Sequence, residues 1–215
     1  MRVLLFILVL VFTVSAQDHF SAATFSASRG DYEHALDSYR SALNNSKGTD
    51  AAARVHYNMG VSLYHLGRHA NAVTELTEAI ALKGGKYQRA WYALGMAESA
   101  ARNNVNAKEA FTKALALNKK DAEAWFDLGL VHIYEKDYAA ARTAFENAIA
   151  FQSINTADAH NNIGVILALN GDVTAAIRKF EISGSAEAVG NLKYCRERGS
   201  DLSSISYHLS SAPKQ

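Results

Sequence analysis

The sequence predicts an all-α protein, a solenoid of about five helix pairs. Apolar residues recur at helical spacing along most of the chain, and its 215 residues include a single proline. Glycines recur at intervals of 35, 34 and 35 residues, at Gly60, Gly95, Gly129 and Gly164. A period near 34 holds one helix–turn–helix unit, so tandem copies of such a unit are the expected architecture.

The clearest copy of the unit runs from Ala124 to Ile149. Its first half holds Trp125, Leu128 and Gly129, and its second half holds small and aromatic residues at helical spacing: Tyr138, Ala141, Ala144, Phe145 and Ala148. This order resembles the tetratricopeptide repeat (TPR), and the resemblance covers roughly residues 17–184. It implies a right-handed superhelix whose first helices line a concave groove, and a scaffold role without naming the partner.

Residues 1–16 have the pattern of a secretory signal peptide. Met1-Arg2 precedes an apolar run from Val3 to Phe12, and small residues follow it before Gln17. The run is shorter than the roughly 20 residues that cross a bilayer. We therefore expect an exported protein, in the periplasm or envelope or secreted, with a mature chain starting near Gln17. An uncleaved N-terminal anchor is the alternative.

Helical periodicity broken by turns rich in Gly, Asn and Asp predicts the helices in order. The expected pairs are 18–28 with 32–44, 51–66 with 69–82, 86–102 with 105–117, 121–135 with 138–151, and 156–170 with 173–183. Asp31, Asp121 and Thr156 are expected to cap helices. Arrays of this family often close with a helix whose outer face is polar, and residues 185–198 fit that role. Residues 199–215, rich in serine, are predicted to be a flexible tail.

The four recurrent glycines lie inside first helices, where each costs about 1 kcal/mol relative to alanine. A cost that recurs at one slot indicates that the paired helix approaches too closely for a side chain. The residues expected opposite are the alanines of the second helices: Ala72, Ala107, Ala141 and Ala176.

The charge balance argues against direct binding to nucleic acid or anionic lipid. The chain has 22 basic and 21 acidic residues, and loss of Arg2 with the leader would make it neutral. Membrane contact is therefore expected only indirectly, through a partner. Cys195 is the single cysteine, so no intrachain disulfide can form.

No catalytic, phosphate-binding or metal-binding motif occurs in the sequence. His65 and His69 are four residues apart, a spacing that can hold a metal on one helix. Gly67 and a turn lie between them, which favours a solvated pair. We expect a non-enzymatic protein without cofactor or metal.

The predicted site is the concave face of the first helices, read from helical periodicity. Its members are Arg54, Tyr57, Val61, Tyr64, Arg89, Tyr92, Met96, Phe126, Leu130, Tyr134, Asn161 and Asn162. Aromatic and thioether side chains on such a face suit an apolar helix or an extended segment of a partner. Arg54, Arg89, Asp127 and Asp158 would orient it. The alternative is that some of these aromatics pack between adjacent first helices.

These patterns predict a scaffold that binds a partner protein or peptide in its groove and helps to assemble a complex. Two other functions stay open at this point. Aromatics on a curved surface can stack on sugars, which would suit a glycan or cell-wall ligand. Self-assembly into a homo-oligomer is also open, with the groove of one copy taking the tail of another.

Overall fold

The computed structural model describes residues 15–46 and 48–198, and the predicted leader and tail lie outside these ranges apart from Ser15 and Ala16. The described residues form eleven α-helices and no strand. The chain divides into two compact units, one ending at Gly85 and one beginning at Lys86. Helices α1–α4 belong to the first unit and α5–α11 to the second.

Every predicted helix is present, and its ends differ from the prediction by at most two residues. The bounds are α1 Ala16–Ser28, α2 Tyr32–Asn44, α3 Thr49–His65, α4 His69–Leu82, α5 Gln88–Ala100, α6 Asn104–Leu117, α7 Ala122–Tyr134, α8 Tyr138–Ala150, α9 Thr156–Leu169, α10 Val173–Ser183 and α11 Ala186–Arg198. Consecutive helices pack as pairs within each unit. None of the helices in the described ranges has the length and apolar character needed to span a bilayer.

Side-chain caps begin several of the helices. The predicted caps Asp31 and Asp121 accept hydrogen bonds from the backbone N–H three residues later, at 3.4 and 3.1 Å. The first helix starts at a capping box, in which Ser15 and Asp18 satisfy each other's backbone N–H. Thr156 was wrong as a cap, because it is the first residue of α9 and the N-cap position before it is taken by Asn155.

The turns inside the pairs need a left-handed residue just before the second helix. Gly67 and Gly171 supply it with φ of 72° and 85°. Arg102 and Lys136 hold the same place with φ of 65° and 60°. A side chain in this region costs roughly 1–2 kcal/mol, so these two turns are strained relative to the glycine turns.

The recurrent glycines do lie at a close approach, but the opposing groups differ from the prediction. A methyl group on Gly129 would lie 2.7 Å from Cε1 of Phe145, and one on Gly60 would lie 2.6 Å from Cγ of Leu76. Phe111 and Phe180 stand in the same relation to their glycines. The large side chain four residues beyond each alanine fills the space beside the glycine, so the alanines were wrong as the nearest group.

The core of the second unit is made from small and aromatic residues in alternation. Phe145 and Phe180 are fully buried with Ala141, Ala176 and their neighbours on α9. Nine of the fourteen residues of α9 are buried, including all of 161–168. This helix therefore has other helices against most of its circumference.

Candidate functional site

In the first unit the predicted site residues lie on α3. Arg54 is exposed, and its guanidinium lies 4.9 Å from the centre of the Phe20 ring. Tyr57, Val61 and Tyr64 are partly buried on the same helix. The structure thus leaves one cationic and three partly apolar side chains accessible on α3, and their role in binding stays a prediction.

In the second unit the predicted residues of α5 and α7 meet through a hydrogen bond. The Tyr92 hydroxyl donates to Oδ2 of Asp127 at 2.9 Å. The two residues are 35 positions apart, one repeat period, so the bond joins neighbouring first helices. Tyr92 also packs its ring 5.8 Å from that of Phe111. The hydrogen bond to Asp127 and the contact with Phe111 together hold the Tyr92 side chain between α5 and α7.

Burial raises the pKa of Asp127 to about 7. The hydrogen bond from Tyr92 opposes this shift, and the carboxylates of Glu123 and Asp121 add to it. Burial also raises the pKa of Tyr92 far above its usual value, with the negative charge of Asp127 contributing. Asp127 is therefore only partly ionised near neutral pH.

The two neighbouring acids are occupied by structural hydrogen bonds. Glu123 accepts from the Ser153 hydroxyl at 3.1 Å, the Ile154 N–H at 2.8 Å and the Asn155 amide at 2.8 Å. Asp121 caps α7 and also accepts from the Gln88 amide. No ion pair in the described ranges joins either acid or Asp127 to a basic side chain. The hydrogen bonds that Asp121, Glu123 and Asp127 accept thus come from neutral donors.

The apolar members of the predicted site differ in accessibility. Tyr134 is 59% exposed at the end of α7, whereas Phe126 is 5% exposed and lies 5.5 Å from the ring of Phe145. Met96 and Leu130 are partly buried against the core. Phe126 therefore packs against α8, the second helix of its own pair, whereas the alternative prediction placed such aromatics between adjacent first helices. Tyr134, Met96 and Leu130 are the side chains that a partner can reach.

Arg89, at the start of α5, is exposed, but Asn161 and Asn162 on α9 are completely buried. Oδ1 of Asn161 accepts from the Asn191 amide of α11 at 3.0 Å. Nδ2 of Asn161 and both polar atoms of Asn162 have no hydrogen-bond partner. A buried polar group without a partner costs about 1–3 kcal/mol, so this end of the second unit holds polar groups that α11 does not satisfy.

Asn191 is not among the predicted site residues, because residues 185–198 are predicted only as a closing helix. The signal is visible in hindsight. Ala188 and Cys195 are spaced by seven residues, as the buried Ala159 and Ile166 of α9 are. Asn191 lies three residues after Ala188 and four before Cys195, so it shares their buried face of α11.

The histidine pair of the first unit takes part in aromatic packing. The His65 ring stacks on Tyr32 at 4.7 Å and 9°, and the His69 ring lies 5.6 Å from Tyr64. No group of three or more His, Cys, Asp or Glu side chains in the described residues is placed to hold a metal ion. Nothing in the described geometry supplies a metal site or a catalytic constellation.

Comparison with known proteins agrees with the repeat pattern. A family model described as tetratricopeptide repeat matches residues 27–87, 92–154 and 134–183. PilF from Pseudomonas aeruginosa is 24% identical, with a TM-score of 0.71 over 84% of this chain and 82% of that one. MamA from Desulfovibrio magneticus RS-1 is 21% identical, with a TM-score of 0.70 over 86% of this chain and 97% of that one.

YrrB, described as a TPR protein with an unusual peptide-binding site, is 23% identical, with a TM-score of 0.69 over 83% of this chain and 92% of that one. At these identities the likeness to solved structures shows the fold alone. No match was found among curated proteins. The predicted fold class, an all-α solenoid of helix pairs, is confirmed.

Proposed function

Since the chain belongs to the tetratricopeptide repeat family, we propose that it is a non-enzymatic interaction module that binds a partner protein or peptide. The proposed site is the surface of α5 and α7 in the second unit. One observation carries the proposal. This surface combines reachable apolar side chains, Met96, Leu130 and Tyr134, with the Asp127 carboxyl group, whose hydrogen-bond donor Tyr92 is neutral.

The chemistry of the surface indicates the partner segment that fits it. Apolar contacts at Leu130 and Tyr134 give affinity by removing apolar area from water, about 25 cal/mol per Å². A basic side chain on the partner would meet Asp127 and fix the orientation of the segment. The peptide-binding site described for YrrB supports a peptide as the ligand class. The scaffold would act by holding such a segment beside other components of a complex.

We propose that the protein acts in the cell envelope or outside the cell, because residues 1–16 have the pattern of a secretory leader. Fractionation of cells that produce the chain, followed by mass measurement, tests this location. The mature mass should correspond to a chain starting near Gln17, and an intact chain in the cytosolic fraction would contradict the proposal.

Capture from native envelope extract tests the binding surface. The test variant combines Tyr134→Glu with Asp127→Asn, which removes an exposed ring and a charge but keeps an acceptor for Tyr92. Phe25→Glu is the matched control, because Phe25 is 63% exposed on α1 of the other unit. The proposal expects a protein that wild type and control retain and the test variant loses. Equal retention by all three would move the site elsewhere, and no retained protein would contradict a protein-binding role.

A further inference from the structure

Helix α11 packs against α10 and α9, with Leu192 partly buried against the core of the second unit. Its fully buried side chains are Ala188 and Cys195, the latter 2% exposed, and both are small. The second helices α8 and α10 bury the whole rings of Phe145 and Phe180. Because the stabilisation from burial scales with the apolar area removed from water, α11 is more weakly seated than these helices.

The middle of α11 is weakened further by Gly190. No atom lies within 4 Å of the position that a methyl group on Gly190 would take, whereas the glycines of the first helices face a ring or a leucine. Gly190 thus lowers helix stability without a packing contact that requires it. Its neighbour Val189 is 60% exposed. Gly190 and Val189 therefore add little to the stability of α11 or to its packing.

The seat under α11 contains polar groups that α11 satisfies only in part. Asn191 donates to Oδ1 of Asn161, but Nδ2 of Asn161 lacks an acceptor. Ala188 and Cys195 share their cluster with apolar residues of α9 such as Ile163 and Ile166. A helix that offered an acceptor to Asn161 as well as small apolar residues would match this seat better than α11 does.

We propose that α11 is a displaceable lid, which swings away at Gly184 and yields its seat on α9 and α10 to a helix of the partner protein. Gly184 ends α10 in the left-handed conformation, with φ of 63°, and Ser185 joins it directly to α11. The incoming helix carries two small apolar residues seven apart, as Ala188 and Cys195 are, and an acceptor between them for Nδ2 of Asn161. The lid rests on the proposed function, since it regulates access to a second part of a partner-binding unit.

Cys195 reports the opening of the lid, because it is the single cysteine of the chain and is buried on the inner side of α11. The rate at which an aromatic disulfide reagent labels Cys195 in the native full-length chain measures how often α11 opens. Burial raises the pKa of the Cys195 thiol, so all variants are compared at one pH. Gly190→Ala should slow labelling about fivefold by stabilising the helix. Asn191→Ala should accelerate it about fivefold by removing the bond to Asn161.

Phe111→Leu separates lid opening from unfolding of the whole second unit. Phe111 is buried on α6, away from α11, so this variant destabilises the unit without touching the lid. If α11 opens by itself, the labelling rate is the same as in wild type. If labelling of Cys195 accelerates together with unfolding, the thiol reacts only in the unfolded unit and the lid does not exist.

A synthetic peptide of residues 185–198 with Gly190→Ala and Cys195→Ala serves as the partner helix. Added in excess to the full-length chain, it should take the seat and accelerate labelling of the chain's own Cys195, and a scrambled peptide should not. Unchanged labelling with both peptides would overturn the exchange of helices. These readouts need no native partner, so a failed capture experiment at α5 and α7 would reject the proposed function while labelling still decides on the lid.

Discussion

Gly129→Ala is expected to destabilise the protein even though alanine is the better helix former. The substitution gains about 1 kcal/mol of helix propensity. The new methyl group, however, would lie 2.7 Å from Cε1 and 2.8 Å from Cδ1 of Phe145, which is far inside van der Waals contact. Phe145 is fully buried and lies against Phe126, so its ring has no free space to enter. Overpacking of this kind costs about 1–3 kcal/mol, which gives a net loss of up to about 2 kcal/mol.

The contribution of the ring can be isolated in a double-mutant cycle. Phe145→Ala by itself should cost about 3–5 kcal/mol, because it leaves a cavity in the core. In that background Gly129→Ala meets open space and should stabilise the protein by about 1 kcal/mol. The change of sign is the diagnostic result, and it does not depend on the absolute cost of either substitution. Phe145→Leu replaces Phe145→Ala in the cycle if the latter does not fold.

Urea unfolding followed by circular dichroism measures each free energy of unfolding. Gly190→Ala is the control for propensity without packing, since nothing surrounds Gly190. It should stabilise by about 1 kcal/mol, or about 2–4 °C in melting temperature. Should Gly129→Ala prove as stabilising as Gly190→Ala, the ring of Phe145 has slack, and steric exclusion does not explain the recurrent glycine.

Three further predictions concern charge and backbone strain. Asp127 has its pKa raised to about 7 in the folded protein, so wild type should lose stability as pH rises from about 4 to 7. In urea unfolding, Asp127→Asn should gain stability relative to wild type over this same pH range, and parallel pH profiles would contradict this. Lys136→Gly should raise the melting temperature, because it relieves the strain of a non-glycine residue at a φ of 60°, about 1 kcal/mol. Gly171→Ala should lower the melting temperature, because it places a side chain at a φ of 85°. A lower melting temperature for Lys136→Gly would show that no strain exists at this turn. Glu123→Gln replaces a carboxylate that accepts three hydrogen bonds and should lower the free energy of unfolding in urea by about 1–3 kcal/mol. Hydrogen exchange at the Ile154 amide should become faster. Unchanged exchange would mean that the loop before α9 does not depend on the charge of Glu123.

The sequence predicted the helices well because each boundary carries local chemical markers. Gly-Asp and Lys-Asp turns end one helix and cap the next, and a glycine recurs at the same position in four first helices. These signals act within a few residues and do not require knowledge of the packing. Thr156 shows the limit, because a Glu123 carboxylate from another helix organises the loop before α9, and that contact cannot be read locally.

The site was less predictable, because periodicity gives the direction of a side chain and not the group that covers it. Phe126 and Tyr134 belong to one predicted surface, but the first is buried against Phe145 and the second is exposed. Asn161 is buried partly because Asn191, which is 30 residues later in the sequence on α11, packs on it and donates a hydrogen bond to it. The group opposite the recurrent glycines was unpredictable for the same reason. The rotation of the paired helix brings a phenylalanine ring or, at Gly60, a leucine against the glycine, and not an alanine.

The capping box at Ser15 connects the start of α1 with the processing of the chain. Ser15 and Asp18 satisfy backbone donors at the first turn of the helix. The proposed cut after Ala16 would remove Ser15 and leave a free ammonium group at Gln17, next to the positive end of the helix dipole. The precursor would then have a longer and better-capped first helix than the mature protein. Removal of the leader would therefore destabilise the first turn of α1, and Asp18 would be the acidic residue that remains beside the new N-terminus.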